Sequence, residues 1–121
     1  LDHVYIGDNS FISYDCFFHF GDQLKEDTVI TVGKRVFIGP RVFISTATHY
    51  ISESVQRASS ETVCKSVTIG DGTWIGANVT VLPGVVIGKG SVIAAGSVVT
   101  RSIPDNVMVA GVPAEIKKNL V

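Results

Sequence analysis

The chain is 121 residues long, 45% of its residues are hydrophobic, and its mean hydropathy is +0.36. Length and composition predict one compact domain, residues 1–121, with a buried core. The net charge of −1 offers no basic surface for nucleic acid, and no apolar run reaches the roughly eighteen residues of a membrane span, so we expect neither partner.

Two hexapeptides with the same pattern open the chain, one beginning at Ile6 and the next at Ile12. The pattern continues at three aliphatic positions, Val32, Ile38 and Ile44. The spacing from Ile12 to Val32 is 20 residues instead of the 18 that three hexapeptides would take. We therefore predict that two extra residues bulge at a corner within residues 21–27.

A polar stretch then interrupts the repeat, and it predicts a loop at about residues 49–65 that leaves the scaffold. Long loops in compact scaffolds are usually functional or disordered. His49 stands at the root of this loop, which makes it a candidate functional residue. The alternative is a structural histidine, and the residues alone leave both open.

Six consecutive hexapeptides run without a break from Ile69 to Pro104. Each begins with Ile or Val, and the second residue is usually Gly or Ala. A fixed short period is typical of a solenoid, in which stacked units bury a shared core. Three strands and three turns make an eighteen-residue triangular coil, and such coils stack about 4.8 Å apart. The alternation of an ordinary β-sandwich has period two and does not explain the recurring small residue.

These repeats predict an all-β protein, a parallel β-helix of about five coils. We expect strands of three to five residues on three faces. After Pro113 we expect a short helical or irregular tail, because proline and glycine end the regular repeats there.

The cysteines and histidines give weaker indications. Cys16 and Cys64 fit buried structural thiols, and with no visible signal peptide they favour a cytoplasmic location. Because the chain begins at Leu1, we expect its natural start to be missing or removed. The three histidines, His3, His19 and His49, include no close pair, so we expect no metal site.

Several motifs give the chain a resemblance to a known family. They are Trp-Ile-Gly at 74–76, Leu-Pro-Gly-Val at 82–85, Gly-Ser-Val-Val-Thr at 96–100 and Ala-Gly-Val-Pro-Ala at 110–114. Thr-Ala-Thr-His at 46–49 precedes the loop. With these motifs the chain, from about residue 6 to its end, resembles the hexapeptide-repeat acetyltransferases. It is most similar to the maltose, galactoside and nodulation-factor O-acetyltransferases and their capsular-polysaccharide relatives.

The resemblance implies a left-handed β-helix that assembles into a homotrimer with active sites between subunits. It implies acetyl transfer from acetyl-CoA to a hydroxyl of a sugar or polysaccharide, with His49 as the general base and direct attack on the thioester. Main-chain N–H groups near Trp74 would stabilise the oxyanion. No Ser or Cys nucleophile is required.

The resemblance also assigns binding residues. Those implied to contact the coenzyme are Ala77, Ala95, Thr100, Arg101 and Lys118. Trp74 is implied to wall the acceptor pocket, and Asp15 is a candidate acceptor contact. Residues 14–20 depart from the Asn and Asp pattern that holds sugar hydroxyls in maltose and galactoside enzymes, so those two specificities are not implied.

Two other functions stay open from the sequence. One is N-acyl transfer to an aminosugar, which would use the same scaffold and base. The other is a non-catalytic β-helix that serves as an assembly module. A histidine at the root of an excursion loop counts against the second.

Overall fold

The computed structural model describes residues 3–21 and 25–121, and within these ranges the chain forms sixteen β-strands and no helix. Three sheets of parallel strands make the faces of a left-handed triangular prism, so the predicted parallel β-helix is confirmed. None of the described residues belongs to a helix that could cross a membrane.

Each face is a stack of short strands, one from each coil. The first face contains β1 (Val4–Ile6), β4 (Ile30–Val32), β9 (Val67–Ile69) and β12 (Val86–Ile87). The second contains β2 (Phe11–Ile12), β5 (Phe37–Ile38), β10 (Trp74–Ile75), β13 (Val92–Ile93) and β15 (Val107–Gly111). The third contains β3 (Phe17–His19), β6 (Phe43–Ser45), β11 (Thr80–Val81) and β14 (Val98–Val99).

The core is a set of aliphatic columns inside the prism. On the second face Ile38, Ile75 and Ile93 lie in register, and each is at most 1% exposed. Equivalent columns come from the other two faces and from the corner valines. Burying one such side chain stabilises the fold by about 1.5–3 kcal/mol. The first residue of each hexapeptide therefore holds successive coils together.

The strand register corrects the predicted insertion in the first coil. Ile6 pairs with Val32, a spacing of 26 residues, so this coil exceeds eighteen residues by eight and not by two. The prediction was wrong because eight and two leave the same remainder after division by six, and the repeat alone cannot tell them apart. The extra residues lie between β3 and β4, where residues 22–24 are outside the described part of the chain.

The predicted loop is a β-hairpin. Strands β7 (Ala47–Ile51) and β8 (Ala58–Cys64) pair antiparallel and leave the prism where the third face meets the first. The loop predicted at about residues 49–65 thus takes the form of two paired strands. The two strands pair with each other because their main-chain N–H and C=O groups lie outside the prism and have no neighbouring coil to bond to.

Two further expectations were wrong. The strands of the regular coils have two or three residues, because each corner turn uses most of the hexapeptide, and only β15 has five. The segment after Pro113 is also a strand, β16 (Ala114–Asn119), which pairs antiparallel with β15. The expected number of about five coils agrees with the five stacked levels of the second face.

Corner residues meet two different demands. At one type of corner the main chains of successive coils touch: a Cβ on Gly70 would lie 2.6 Å from the carbonyl carbon of Gly88. At another, the turn needs a positive φ, and Asn78 (φ 55°) and Gly96 (φ 75°) supply it in successive coils. The small second residue of the repeat thus reflects close main-chain approach.

We expect Gly70→Ala to destabilise the fold by about 1–3 kcal/mol, because the added methyl group meets main chain that cannot rotate away. Gly96→Asn is the matched control, since its Cβ meets nothing within 4 Å and asparagine tolerates the positive φ. The control should stay within about 0.5 kcal/mol of the parent. Urea unfolding midpoints measure both, and equal midpoints for the two variants would contradict the close approach.

Candidate active site

An apolar groove of about 390 Å³ runs along the corner between the second and third faces. Trp74, Ala77 and Ala95, three residues singled out from the sequence, all line it. The structure therefore brings together the coenzyme candidates of two coils and the candidate wall of the acceptor pocket. Trp74 points outward from the second face and is 55% exposed, so it is not core packing.

Two main-chain donors in this groove are unused. Among the described residues, neither the N–H of Ala77 nor that of Ala95 has a hydrogen-bond acceptor. By contrast, the N–H groups of Trp74 and Gly76 donate to the carbonyls of Ser91 and Ile93 at 2.9 Å. Of the main-chain N–H groups near Trp74, that of Ala77 is available to a ligand. Those of Trp74 and Gly76 are already hydrogen-bonded to the next coil.

The end of the groove carries a cation. Met108 lines the groove, and Lys118 is its partner in the pairing of β15 with β16. Paired residues of an antiparallel ladder lie on the same side of the sheet. Lys118, which is exposed, is thus placed where it can meet an anionic group of a ligand lying in the groove.

His49 lies on β7 and is exposed, and its Nδ1 is 3.3 Å from the main-chain carbonyl oxygen of Glu61. A carbonyl oxygen only accepts, so Nδ1 carries the hydrogen and donates it. Nε2 of the neutral ring then holds the free lone pair. The β7–β8 pairing, in which His49 is opposite Thr62, sets this tautomer. His49 therefore has the form that a general base needs.

A second cavity, of about 260 Å³, lies beside this histidine at the corner between the third and first faces. Its lining residues are His19, Gly21, Ala47, Thr48, His49 and Thr62. They come from the first coil and from both strands of the hairpin. The cavity therefore exists only because the excursion folds back over the first coil.

The remaining candidates lie apart from both cavities. Thr100 and Arg101 follow β14 at the His49 corner but about 10 Å further along the axis, given two coil spacings. Arg101 borders a separate cavity near the carboxyl end, with Pro113 and Glu115. Asp15, exposed and with a φ of 56°, occupies the corner of the groove about two coils below Ala77.

The groove and the His49 cavity share no lining residue. They lie at opposite ends of the third face, at the two corners that flank its strands. One copy of the chain therefore presents two separate half-sites. A ligand in the groove would have to cross the full width of this face to reach His49 of the same chain.

Two contributions to these sites were missed from sequence. Ser45 is 5% exposed, and its Oγ is hydrogen-bonded to Nδ1 of His19. The same Oγ donates to the carbonyl of Ala47 and accepts from its N–H, so it fixes two residues that line the second cavity. Met108 extends the groove beyond the alanines. Coil register would have revealed both, because Ser45 is opposite His19 and Met108 follows Val92 on the second face.

The repeats match a known family model. Residues 66–101 match the model described as bacterial transferase hexapeptide (six repeats). This match covers the six consecutive hexapeptides that the sequence shows between Ile69 and Pro104, apart from the end of the last one. No curated protein matches it in sequence.

Solved structures show which hexapeptide-repeat proteins it is similar to. A hexapeptide-repeat-containing acetyltransferase from Vibrio cholerae, complexed with acetyl coenzyme A, is 38% identical with a TM-score of 0.85, over 98% of this chain and 61% of that one. A maltose O-acetyltransferase from Clostridium difficile 630 is 38% identical with a TM-score of 0.83, over 98% of this chain and 60% of that one.

A galactoside acetyltransferase in complex with coenzyme A is 32% identical with a TM-score of 0.78, over 97% of this chain and 65% of that one. The chain spans about three fifths of the length of the Vibrio and Clostridium proteins. The fold is therefore that of the hexapeptide-repeat acetyltransferases, as the motifs at 74–76 and 110–114 predicted.

We expect the neutral ring of His49 to carry its hydrogen on Nδ1, because that nitrogen donates to the Glu61 carbonyl. In a free imidazole side chain the hydrogen favours Nε2, so the two states are distinguishable by long-range ¹H–¹⁵N NMR. His3 is the internal control, with Nδ1 2.8 Å from the Thr28 carbonyl oxygen. A His49 spectrum dominated by the Nε2–H form, beside an Nδ1–H form for His3, would show that the hairpin does not set the tautomer.

Proposed function

We propose that the chain catalyses acetyl transfer from acetyl-CoA to a hydroxyl group of a sugar or polysaccharide. The geometry of His49 carries this proposal: an exposed imidazole held through Nδ1 by the Glu61 carbonyl, with Nε2 as proton acceptor beside a cavity. Similarity to a maltose and a galactoside acetyltransferase supports the choice of acetyl group and sugar acceptor.

His49 supplies the base that the reaction needs. A hydroxyl is a weak nucleophile at neutral pH, so Nε2 removes its proton as the oxygen attacks the thioester carbonyl carbon. The C–S bond then breaks, and the proton passes from the imidazolium to the departing sulfur. The products are the acetyl ester and the thiol of CoA. General-base assistance of this kind contributes about 10²–10⁴-fold.

The groove suits the donor substrate. The pantetheine arm is narrow and carries amide carbonyls, and the unused N–H groups of Ala77 and Ala95 are donors at regular spacing along an apolar channel. The small side chains of these residues let the arm approach the main chain. Lys118, at the end of this groove, is the cation that we assign to the phosphates. Thr100 and Arg101 lie at the His49 corner, so we assign them to the arm and the phosphates of a coenzyme bound in the groove of a neighbouring copy.

The oxyanion of the tetrahedral intermediate needs a donor that no other group uses. The Ala77 N–H meets this requirement and lies beside Trp74, which we assign to the wall of the acceptor pocket. Removing one such donor from an acyl-transfer site costs about 10²–10³-fold in rate. Asp15, at the lower end of the same corner, remains our candidate for an acceptor contact.

The two half-sites support a cyclic homotrimer. Within one chain the groove and His49 lie at opposite ends of the third face, so neither completes the other. A threefold rotation about an axis parallel to the prism would place the groove of one copy opposite His49 of the next. Closed cyclic symmetry then generates three equivalent sites.

We expect His49→Ala to lower kcat by about 10²–10⁴-fold, with the Kd for acetyl-CoA nearly unchanged, because the base acts on the acceptor proton. The measurements are CoA release against a panel of sugars and aminosugars, and calorimetry for acetyl-CoA. His3→Ala is the matched control, since His3 makes the same type of Nδ1 bond outside the site.

Wild-type turnover in His49→Ala with a confirmed acceptor would make the histidine structural. A strict preference for aminosugars would replace O-acetylation by N-acetylation. No CoA release with any acceptor, combined with no binding of acetyl-CoA, would favour the assembly module.

We expect the chain to form a trimer, with a mass by light scattering about three times the 12.9 kDa of one chain. Complementation tests where the sites lie. His49→Ala lacks the base, and Ala95→Trp blocks the groove, so each variant should be inactive alone. Mixed trimers should regain activity at sites that combine an intact groove with an intact His49 from another copy. A fully active monomer, or no recovery in mixed trimers, would refute sites between copies.

A further inference from the structure

Three aromatic rings form an exposed shelf on the outer side of the third face, which we call the aromatic ledge: Phe17, Phe43 and His19. Phe17 and Phe43 are partners in register, and their rings stack with centroids 5.8 Å apart at 18°. The ring of His19 stacks on Phe43 at 5.7 Å and 27°. Phe17 is 59% exposed and Phe43 36% exposed, so the ledge presents flat apolar surface to solvent.

The ledge is confined to the two coils beside the hairpin. Phe43 is followed in register by Thr80 and then Val98, neither of which carries a ring. The hairpin leaves the prism directly after β6, the strand that contains Phe43. The ledge is therefore next to the His49 cavity and does not extend along the whole prism.

A buried serine fixes the orientation of His19. Nδ1 of His19 is 2.9 Å from Ser45 Oγ, and that hydroxyl donates to the Ala47 carbonyl at 3.0 Å. Since a hydroxyl has one hydrogen, Oγ accepts the bond from Nδ1–H. Nε2 of His19 is then an acceptor, and it has no hydrogen-bond partner among the described residues.

His19 belongs both to the aromatic ledge and to the lining of the His49 cavity. The same cavity is lined by His49 and by Ala47, whose N–H donates to Ser45 Oγ at 3.2 Å. Two imidazoles, one from the first coil and one from the hairpin, thus line one cavity of about 260 Å³, each with Nδ1 hydrogen-bonded and Nε2 available. A ligand that fills this space meets two acceptors and an aromatic surface.

We propose that the aromatic ledge binds the apolar face of a pyranose ring, and that His19 is a positioning residue which accepts a hydrogen bond from one ring hydroxyl and so directs another toward His49. A pyranose has a flat patch of C–H groups that packs on aromatic faces, while hydroxyls at its rim need hydrogen-bond partners. An acyclic polyol has the hydroxyls without the patch. This inference rests on the proposed acetyl transfer, whose acceptor it specifies.

Binding is tested apart from chemistry by saturation-transfer NMR on the full chain without acetyl-CoA. The probes are methyl α-D-glucopyranoside and methyl β-D-galactopyranoside, with sorbitol and glycerol as acyclic comparisons. We expect saturation of at least one pyranoside at its C–H protons and none of the polyols. Equal binding of pyranosides and polyols, or binding of none of them, would overturn the proposal.

The ledge variants are Phe17→Leu and Phe43→Leu, which keep apolar volume but remove a ring. Phe11→Leu is the matched control, because Phe11 is 52% exposed and stacks on Phe37 on the second face. Each ledge variant should weaken pyranoside binding about two- to tenfold, the size of one aromatic contact, and the control should not. Thermal unfolding checks that all three fold alike.

His19→Leu should raise the KM for the pyranoside about three- to tenfold, the size of one neutral hydrogen bond. It should also lower kcat at saturating sugar, because the reacting hydroxyl is no longer directed toward His49, while the KM for acetyl-CoA stays unchanged. His19→Gln, which retains an acceptor, should recover part of the loss. An unchanged KM for the pyranoside, or an unchanged kcat at saturating sugar, would overturn the positioning role.

The outcomes separate the two proposals. Ledge-dependent pyranoside binding without CoA release would leave the ledge standing and refute the acetyl transfer. Acetylation of pyranosides that is insensitive to Phe17, Phe43 and His19 would do the reverse. A trimer that dissociates in Phe17→Leu but not in Phe11→Leu would show that a second copy, and not a sugar, covers the ledge.

Discussion

Parallel stacking at one strand spacing is the constraint on which the whole molecule depends. Because the strands of each coil pair in parallel with those of the coil beneath, each strand residue lies directly over its counterpart one coil earlier. Each inward side chain must therefore pack against the equivalent side chains of the coils above and below it. Ile38, Ile75 and Ile93 fill one such column. The same stacking aligns the groove, where Ala77 and Ala95 occupy equivalent corner positions in successive coils.

The hairpin departs from this stacking, and the proposed chemistry lies beside it. Regular coils satisfy nearly all their main-chain groups with the coils above and below, which leaves little freedom to shape a cavity. The antiparallel pair β7–β8 obeys its own register, so His49 can be held by Glu61 independently of the column beneath it. The repeat supplies rigidity, and its interruption supplies a site.

The features that could be predicted from the sequence are those that follow from its six-residue repeat. The inward aliphatics and the corner residues follow from the repeat, so the fold and the groove containing Ala77 and Ala95 could be anticipated. The pairing of Ile6 with Val32 could not, because a repeat determines position only to within a multiple of six. Nor could the hairpin or β16, since antiparallel pairing depends on contacts that no periodicity encodes. His49 was found through its motif and its place at the loop root, whereas Ser45 and the ledge needed the observed register.

The antiparallel return of β16 has a consequence for growth of the solenoid. A prism that ended in a plain coil would expose a parallel edge, a template onto which another β-helix could dock end to end. On the second face β16 covers the edge of β15, and its reversed direction is wrong for a further parallel coil. Its exposed lysines, Lys117 and Lys118, add like charge along the new outer strand, which discourages edge-to-edge pairing. The strand β16 thus replaces a parallel edge by an antiparallel one at this end of the second face, which disfavours the stacking of a further parallel coil there.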